Sequence, residues 1–316
     1  MAAPPLGPRR VLVAGGDPDA LARRLQAARP DLELRAVATT AVTAEDLAWA
    51  DTYVGFKRPT QPSMGNVRWV HSTGAGTDPW FHPTPLARDV VLTRTSESFG
   101  LAIAEWALAR ALAWRQQLSD LADCQRRHEW APREVTYVRG SRAVVLGTGD
   151  VGTAIGRAFS ALGVEVLGVS RSGRGDPAVF ATTSTPDVLD ALAATADWLV
   201  VGAPLTAETR GLVSRDVLLA CRGAVLLNAG RGAVVDEAAI PEALDRGALA
   251  AAILDVFAVE PLPPESPLWD HPRVMISPHM SGRTTVEGAL AGFLECLEAF
   301  EGGERPRWVV DRERGY

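Results

Sequence analysis

The sequence predicts an α/β protein in which helices cover two doubly wound parallel sheets. With 316 residues the chain is long enough for two domains, since a domain averages about 150 residues. Short apolar runs alternate with helical patterns along most of the chain, which is typical of parallel sheets. A G-x-G-x-x-G motif at residues 147–152 stands between a predicted strand and a predicted helix.

The composition is that of an ordinary globular chain and excludes several classes of protein. Hydrophobic residues make up 47% and charged residues 22%, which excludes a disordered chain. The net charge of −6 argues against a general nucleic-acid partner. Because no long apolar run and no signal-peptide pattern is present, we expect a soluble, cytoplasmic protein with no membrane partner.

Two rare residue types carry further information. The three cysteines show no C-x-x-C spacing, so neither a disulfide framework nor a metal site is predicted. Lys57 is the only lysine among the 32 basic residues, which points first to a genome that avoids lysine codons.

The first hundred residues predict a small α/β unit. Strands are expected at residues 11–14, 32–36, 52–56, 67–72 and 90–93, and helices at residues 17–28 and 43–49. Thr43 is the predicted N-cap of the second helix, with Asp46 three residues later as a weak form of the capping box.

A second α/β unit follows a long predicted helix at residues 99–128. Strands are expected at residues 143–146, 164–169, 198–201, 224–228, 251–256 and 274–276, with helices between them that include residues 151–162 and 236–246. A final helix is expected at residues 284–301. Parallel strands joined by right-handed crossovers predict a doubly wound nucleotide-binding sheet.

The glycine motif opens this second unit. It comprises Gly147, Thr148, Gly149, Asp150, Val151 and Gly152. In such loops the first glycine permits a tight turn, the second admits a pyrophosphate to the backbone, and the third lets the helix pack close. The preceding strand and the following helix favour a dinucleotide site over a purely structural turn.

The residues after the second strand of this unit favour NADP over NAD. An NAD site usually has an acidic residue there, which accepts hydrogen bonds from the ribose 2′-hydroxyl. This chain has instead Ser170, Arg171, Ser172 and Arg174, which are suited to a 2′-phosphate. The alternative is that Arg171 stacks on the adenine while NAD is used.

Three later strands are each followed by a charged or titratable residue, namely Arg231, Glu260 and His279. Taken singly, each has a plain explanation as a surface charge, a cap before proline or a polar turn residue. Ligands of open α/β sheets bind beyond the carboxyl ends of the strands, where all three are expected. Their occurrence together beside a dinucleotide loop predicts an active site.

This trio suits hydride transfer to a carbonyl. A histidine can protonate the carbonyl oxygen, and a neighbouring carboxylate favours its imidazolium form. An arginine can hold a carboxylate through two hydrogen bonds and polarise the adjacent carbonyl. The predicted substrate is a small 2-keto or 2-hydroxy acid.

Four ordered blocks carry a family resemblance. Residues 203–211 (APLTAETRG), 228–237 (NAGRGAVVDE), 255–263 (DVFAVEPLP) and 277–279 (SPH) resemble the D-isomer-specific 2-hydroxyacid dehydrogenases, and the similarity covers about residues 69–282. The missing acidic residue near position 170 resembles the NADP-dependent glyoxylate and hydroxypyruvate reductase branch. The resemblance implies that Arg231, Glu260 and His279 are catalytic.

The resemblance also implies the domain layout. A Rossmann-type cofactor domain is expected at residues 98–282, and a smaller flavodoxin-like substrate domain at residues 1–97 and 283–316. A substrate cleft is expected between them. Relatives extend the segment before the cofactor strand to a second subunit, so a homodimer is expected.

Further contacts follow from the same resemblance. The cofactor contacts expected beyond the glycine loop are Pro204, Thr209, Ala229 and Asp255. The substrate contacts expected beside Arg231 are Phe56, Lys57, Thr73, Gly74, Ala75 and Gly76. For the last three the expectation is a nest of backbone N–H groups that receives the substrate carboxylate, although a plain turn has similar signals.

Two functions of different classes are compatible with these features. The first is an NADP-preferring reductase that converts a glyoxylate- or hydroxypyruvate-like 2-keto acid to the D-2-hydroxy acid. The second is a dinucleotide-sensing regulatory or corepressor-like binding protein on the same scaffold, since some such relatives retain the trio. The absence of a basic or low-complexity tail favours the enzyme.

Overall fold

The computed structural model describes residues 9–15, 17–81, 85–95, 99–282 and 284–313. The chain divides into two compact units, Met1–Phe99 with Arg283–Tyr316 and Gly100–Gly282. The predicted boundary positions 97, 98 and 283 lie outside the described residues.

The first unit has a five-stranded parallel sheet. Its strands are β1 (Arg10–Gly15), β2 (Glu33–Ala38), β3 (Thr52–Val54), β4 (Trp69–Ser72) and β5 (Val91–Arg94), and its helices are α1 (Pro18–Ala28), α2 (Ala44–Trp49), α3 (Asp78–Phe81) and the late helix α10 (Val286–Glu301). The strand order β2-β1-β3-β4-β5 is that of flavodoxin-like folds.

Local sequence explains where these helices begin. The side chain of Asp17 accepts a hydrogen bond from Ala20 N at 3.2 Å and caps α1. At α2, Asp46 N donates to Thr43 Oγ1 at 3.1 Å and Thr43 N donates back to Asp46 Oδ2 at 3.0 Å. The predicted capping box is therefore confirmed.

A polar cluster lies inside the core of this unit. His71 is fully buried, with its ring nitrogens 2.8 Å from Thr93 Oγ1 and 2.9 Å from Thr95 Oγ1. Trp69 stacks on Phe293 of α10 at 4.8 Å between ring centroids and donates its indole N–H to Thr93 Oγ1. Since buried polar groups are costly without partners, these bonds provide the partners that both ring nitrogens of His71 need in the core.

The second unit has a seven-stranded parallel sheet. Its strands are β6 (Arg142–Leu146), β7 (Glu165–Val169), β8 (Thr182–Ser184), β9 (Trp198–Val201), β10 (Ala224–Asn228), β11 (Leu249–Leu254) and β12 (Val274–Ile276), and its helices are α4 (Phe99–Arg115), α5 (Leu118–Arg126), α6 (Asp150–Ala161), α7 (Leu189–Ala193), α8 (Arg215–Ala220) and α9 (Ile240–Asp245). The order β12-β11-β10-β9-β6-β7-β8 is the doubly wound order of nucleotide-binding sheets, extended by one strand. The predicted class, two parallel-sheet α/β domains, is confirmed.

Parts of the second unit differ from the prediction. The single helix expected at residues 99–128 is two helices, because Gln117 adopts a left-handed conformation (φ 52°) between α4 and α5. Strand β8 was not predicted, since an edge strand of three polar, partly exposed residues lacks an apolar pattern. The strand expected at residues 251–256 begins and ends two residues earlier, which leaves Asp255 in the following loop.

No helix within the described part of the chain is both long and apolar enough to span a membrane.

We predict that His71 makes the stability of the protein depend on pH. Burial lowers the pKa of His71 to about 3, whereas an unfolded histidine has a pKa near 6.5. Between these values the unfolded chain binds more protons, so the free energy of unfolding rises with pH and reaches its full value above about 6.5. The expected difference between pH 5 and pH 7 is about 2 kcal/mol.

Urea unfolding of the wild type and of His71→Asn at both pH values tests this. The variant is expected to be less stable at pH 7 and to lose most of the difference between the two pH values. His128→Asn is the control, since His128 is exposed and its left-handed backbone suits asparagine. An unchanged pH dependence in His71→Asn would contradict the prediction.

Candidate active site

The carboxyl ends of three adjacent strands build one edge of the second unit. Strands β10, β11 and β12 are parallel neighbours, with Asn228 paired to Leu254 and Leu254 paired to Ile276. The loops that leave these ends carry Arg231, Glu260 and His279. The sheet register therefore brings the loops of the three predicted catalytic residues to the same edge.

Glu260 and His279 are in direct contact. His279 Nδ1 lies 2.7 Å from Glu260 Oε2, and Glu260 Oε1 accepts a hydrogen bond from Phe257 N at 3.0 Å. Partial burial raises the pKa of the Glu260 carboxyl, but the bonds from His279 and Phe257 and the nearby positive charges outweigh it and hold the pKa below its usual value. Glu260 is therefore a carboxylate, and it orients the imidazole so that Nε2 lies on the opposite side of the ring.

Arg231 lies beside this pair. Its Nη1 donates to Gly230 O at 2.7 Å, and its positive charge contributes to the lowered pKa of Glu260. The next residue, Gly232, is in close contact with the loop of Glu260, because a Cβ there would come within 1.9 Å of the Phe257 carbonyl carbon. Glycine at this position lets the two loops approach each other.

Asp255 is fully buried beneath the loop that carries His279. Its Oδ1 accepts hydrogen bonds from Ser277 Oγ at 2.5 Å and Met280 N at 3.0 Å, and its Oδ2 accepts one from Ser281 N at 2.8 Å. His279 N donates to the main-chain oxygen of Asp255 at 2.8 Å. The structure thus uses Asp255 to hold the loop, while its expected contact with a cofactor stays a prediction.

The glycine loop has the geometry of a dinucleotide site. It follows β6 and opens α6, and Gly147 has a positive φ of 97°. A Cβ on Gly152 would lie 1.7 Å from Gly147 O, whereas a Cβ on Gly149 would meet no described atom within 4 Å. Gly147 and Gly152 are therefore required by the fold, and Gly149 leaves open space where a pyrophosphate can approach the backbone.

A tight turn follows β7 on one side of the glycine loop. The Ser170 hydroxyl donates to Arg174 O at 2.9 Å and accepts from Arg174 N at 3.1 Å, and Thr148 Oγ1 also donates to Arg174 O at 2.6 Å. The Ser170 side chain thus closes the turn, while the side chains of Arg171, Ser172 and Arg174 are exposed.

The remaining predicted cofactor residues of the sheet lie on the other side of the glycine loop. Thr209 Oγ1 donates to Pro204 O at 2.7 Å and accepts from Thr206 N at 2.8 Å, which closes the loop after β9. Ala229 is buried directly after β10.

Most of the predicted substrate residues of the first unit lie in a loop that side-chain hydrogen bonds hold in place. The carbonyl oxygens of Thr73, Gly74 and Ala75 accept hydrogen bonds from the side chains of Thr284, Ser72 and Arg94, respectively. Phe56 packs against Gly74, where a Cβ would lie 2.4 Å from its ring, Gly76 is half-buried, and Lys57 is exposed. The role of these residues in substrate binding stays a prediction.

Sequence reasoning missed Arg94 and Ser277. Arg94 ends β5 and donates to the predicted substrate loop, so the strand-end argument that selects Arg231 could have found it. Ser277 stands two residues before His279, and only the buried position of Asp255 shows its role. Among the described residues, no group of three or more His, Cys, Asp or Glu side chains is arranged to hold a metal ion.

The fold and the site together define a dinucleotide-dependent oxidoreductase. Residues 108–281 match the family model "D-isomer specific 2-hydroxyacid dehydrogenase, NAD binding domain". Glyoxylate/hydroxypyruvate reductase A of Salmonella paratyphi B is 33% identical over 276 residues, which are 84% of this chain and 88% of that protein. The chain belongs to the D-isomer specific 2-hydroxyacid dehydrogenase family, and it is an NAD(P)-dependent oxidoreductase.

Solved structures agree with this assignment. A D-isomer specific 2-hydroxyacid dehydrogenase of Xanthobacter autotrophicus in complex with NADPH and MES matches with a TM-score of 0.85 and 31% identity, over 98% of this chain and 100% of that one. An NADPH-dependent glyoxylate/hydroxypyruvate reductase of Sinorhizobium meliloti in complex with NADP and sulfate matches with a TM-score of 0.83 and 30% identity, over 98% and 99%.

We predict that two glycines of the cofactor loop respond differently to alanine. Gly149→Ala is expected to keep the melting temperature within about 2 °C, because its backbone is extended and its Cβ meets no described atom. Its affinity for NAD(P)H is expected to fall at least about tenfold, because the added methyl group removes a contact with the pyrophosphate that is worth one hydrogen bond or more. Gly152→Ala is expected to lower the melting temperature, because its Cβ meets Gly147 O.

Thermal unfolding without cofactor and fluorescence titration with NADPH and NADH separate the two effects. Tight dinucleotide binding by Gly149→Ala would show that the pyrophosphate does not approach this residue.

Proposed function

We propose that the protein reduces a 2-keto acid of the glyoxylate or hydroxypyruvate type to the D-2-hydroxy acid with NADPH. The observation that carries this proposal is the 2.7 Å contact between His279 and the Glu260 carboxylate beside Arg231. The names of the relatives support the substrate class, since two of those described above are glyoxylate/hydroxypyruvate reductases.

The residues present fit a bound dinucleotide. The open space at Gly149 and the N-terminus of α6 suit the pyrophosphate, and no described side chain caps that helix. When bound, NADPH supplies a hydride to the keto carbon of the substrate. The work left to this chain is to hold the substrate, to orient it and to donate a proton.

His279 is the proton donor in this proposal. Reduction of a carbonyl places negative charge on its oxygen, and a donor close to that oxygen lowers the barrier. The Glu260 carboxylate binds Nδ1 at 2.7 Å, so Nε2 is the nitrogen that donates the proton to the substrate oxygen. In the reverse direction the same nitrogen accepts the proton of the 2-hydroxyl group.

Arg231 holds the substrate in this proposal. A guanidinium can bind the substrate carboxylate through two hydrogen bonds and place positive charge near the adjacent carbonyl oxygen. Of its two flanking glycines, Gly232 lets the loop approach that of Glu260, and Gly230 lies against the end of β9 and the residues after it.

The turn after β7 supports the preference for NADPH. Arg171, Ser172 and Arg174 are exposed there, and none of the residues 170–174 is acidic. A 2′-phosphate gains charge-assisted hydrogen bonds from such a turn, whereas an acidic residue would repel it.

Assembly as a homodimer is part of the proposal. Leu118 and Leu121 of α5, with Trp130 and Tyr137 of the following segment, are exposed apolar side chains, and Trp130 is 97% exposed. Exposed apolar surface of this kind favours a protein partner. A cytoplasmic location stays a prediction of the sequence.

We predict that the purified protein oxidises NADPH when glyoxylate or hydroxypyruvate is added. His279→Ala is expected to lower kcat at least about a hundredfold, because a positioned general acid contributes about that much, while NADPH affinity stays within about twofold. His271→Ala is the control, since His271 lies before β12, at the opposite end of that strand from His279, and pairs with Asp245. Absorbance of the nicotinamide measures the rate.

Two outcomes would contradict this prediction. NADPH binding without turnover on any 2-keto acid of a broad panel would favour the dinucleotide-sensing protein instead. Loss of NADPH affinity in His279→Ala without loss of turnover would remove His279 from the role of proton donor.

We predict that Arg171→Ala and Arg174→Ala each weaken NADPH binding about tenfold or more and leave NADH binding nearly unchanged. The physical reason is the loss of a charge-assisted contact with the 2′-phosphate, which is worth about 1.5–3 kcal/mol. Arg222→Ala is the control, because Arg222 is exposed and precedes β10 at the opposite edge of the sheet. Equal losses for both dinucleotides would indicate that the arginines bind the adenine or the pyrophosphate.

A further inference from the structure

The indole of Trp106 is connected to the loop of the proposed proton donor. Trp106 lies in α4, is 6% exposed, and donates its Nε1–H to Ser277 Oγ at 3.1 Å. An indole nitrogen can only donate, so the serine oxygen accepts this bond. The single hydrogen of the serine hydroxyl is then available for Asp255 Oδ1, which lies 2.5 Å away.

Asp255 in turn holds the backbone around His279. Its side chain accepts hydrogen bonds from the two residues that follow His279, and its main-chain oxygen accepts one from His279 N. His279 has a positive φ of 47°, a conformation that is uncommon for non-glycine residues. The hydrogen bonds to Asp255 hold the backbone of His279 in this conformation.

Charged groups from three elements lie near the hydrogen-bonded residues Trp106, Ser277 and Asp255. The Arg110 guanidinium of α4 lies over the Trp106 ring at 4.6 Å, and although burial lowers the pKa of Arg110, the charge of Asp255 opposes that effect. Glu260 faces His279 directly, and the charge of Arg231 acts on Glu260. Trp106 therefore lies between a cation on its own helix and the buried carboxylate that holds the loop.

We propose that Trp106 is a positioning residue for the reduction. It orients the Ser277 hydroxyl toward Asp255, and this bond holds residues 277–281 so that His279 stays against Glu260. The proposal rests on the proposed role of His279 as proton donor. Trp106 touches no reacting atom, and its effect on the position of His279 depends on Ser277 and Asp255.

The same unit contains a matched pair away from this loop. Trp198 of β9 donates its Nε1–H to Ser141 Oγ at 2.9 Å, and Arg115 lies over its ring at 4.9 Å. Ser141 Oγ donates to Val138 O, so this serine is bonded to a main-chain oxygen and not to the loop of His279. Changes at Trp198 and Ser141 thus remove the same kind of hydrogen bond and leave the bonds among Trp106, Ser277 and Asp255 intact.

The test compares Trp106→Phe and Ser277→Ala with Trp198→Phe and Ser141→Ala in the full-length protein. Trp106→Phe is expected to lower kcat about fivefold, the equivalent of one buried hydrogen bond, and Ser277→Ala about twentyfold, because it removes a bond to a carboxylate. KM for the keto acid is expected to change less than about twofold, since substrate binding by Arg231 is retained. The double variant with both changes is expected to have the same kcat as Ser277→Ala alone, because Trp106 acts through Ser277. The control variants are expected to lose stability and keep kcat.

Hydrogen–deuterium exchange of a peptide covering residues 277–281 gives a second result that needs no turnover. Trp106→Phe and Ser277→Ala are expected to speed exchange of this peptide, and the control variants are not. Three outcomes would overturn the proposal. The first is unchanged exchange of this peptide in Trp106→Phe, and the second is an equal loss of kcat in Trp106→Phe and Trp198→Phe. The third is a double variant whose loss of kcat is the product of the two single losses. A wild type that reduces no 2-keto acid would instead refute the proposed function, and the exchange of the 277–281 peptide would then decide alone whether Trp106 holds this loop.

Discussion

The buried carboxylate of Asp255 receives hydrogen bonds from Ser277, Met280 and Ser281, and the conformation of the His279 loop depends on these bonds. A buried charge is costly unless hydrogen bonds compensate it, so the loop and the carboxylate stabilise each other. The left-handed backbone of His279 is held by the same arrangement, which directs its imidazole at Glu260. The proposed chemistry follows from this contact, because Glu260 binds Nδ1 of His279 and leaves Nε2 for the substrate.

The parallel sheet supplies the second constraint. Three neighbouring strands end at one edge, and the loops after them must pass close to one another. Gly232 allows this approach, because a side chain there would overlap the Phe257 backbone in the loop of Glu260. The glycine loop follows a similar principle, since Gly152 is needed by the fold while Gly149 leaves room for a ligand. Glycines in this protein thus serve two purposes, since some let chain segments pack closely and one leaves room for a ligand.

Much of the fold could be predicted from the sequence, because parallel strands and α/β helices leave strong local patterns. The G-x-G-x-x-G loop and the strand-end positions of Arg231, Glu260 and His279 follow from those patterns and from the order of the strands. The break at Gln117 and the edge strand β8 could not be predicted, since neither has an apolar or turn pattern. The bond from Trp106 to Ser277 was also hidden, because it joins residues that are far apart in the chain, and only the packed structure brings them together.

The kcat for keto-acid reduction in Glu260→Gln, compared with that of the wild type, tests the central claim most directly. Glutamine has the shape of glutamate but no negative charge, so the charge-assisted hydrogen bond with His279 Nδ1 is lost. We expect kcat to fall about tenfold or more, since a hydrogen bond to a charged group is worth about 1.5–3 kcal/mol. Glu237→Gln is the control and is expected to keep kcat, because Glu237 accepts its hydrogen bond from Ala258 N in the same loop and not from His279. An unchanged kcat in Glu260→Gln, or an equal loss in Glu237→Gln, would contradict a proton donor held by Glu260.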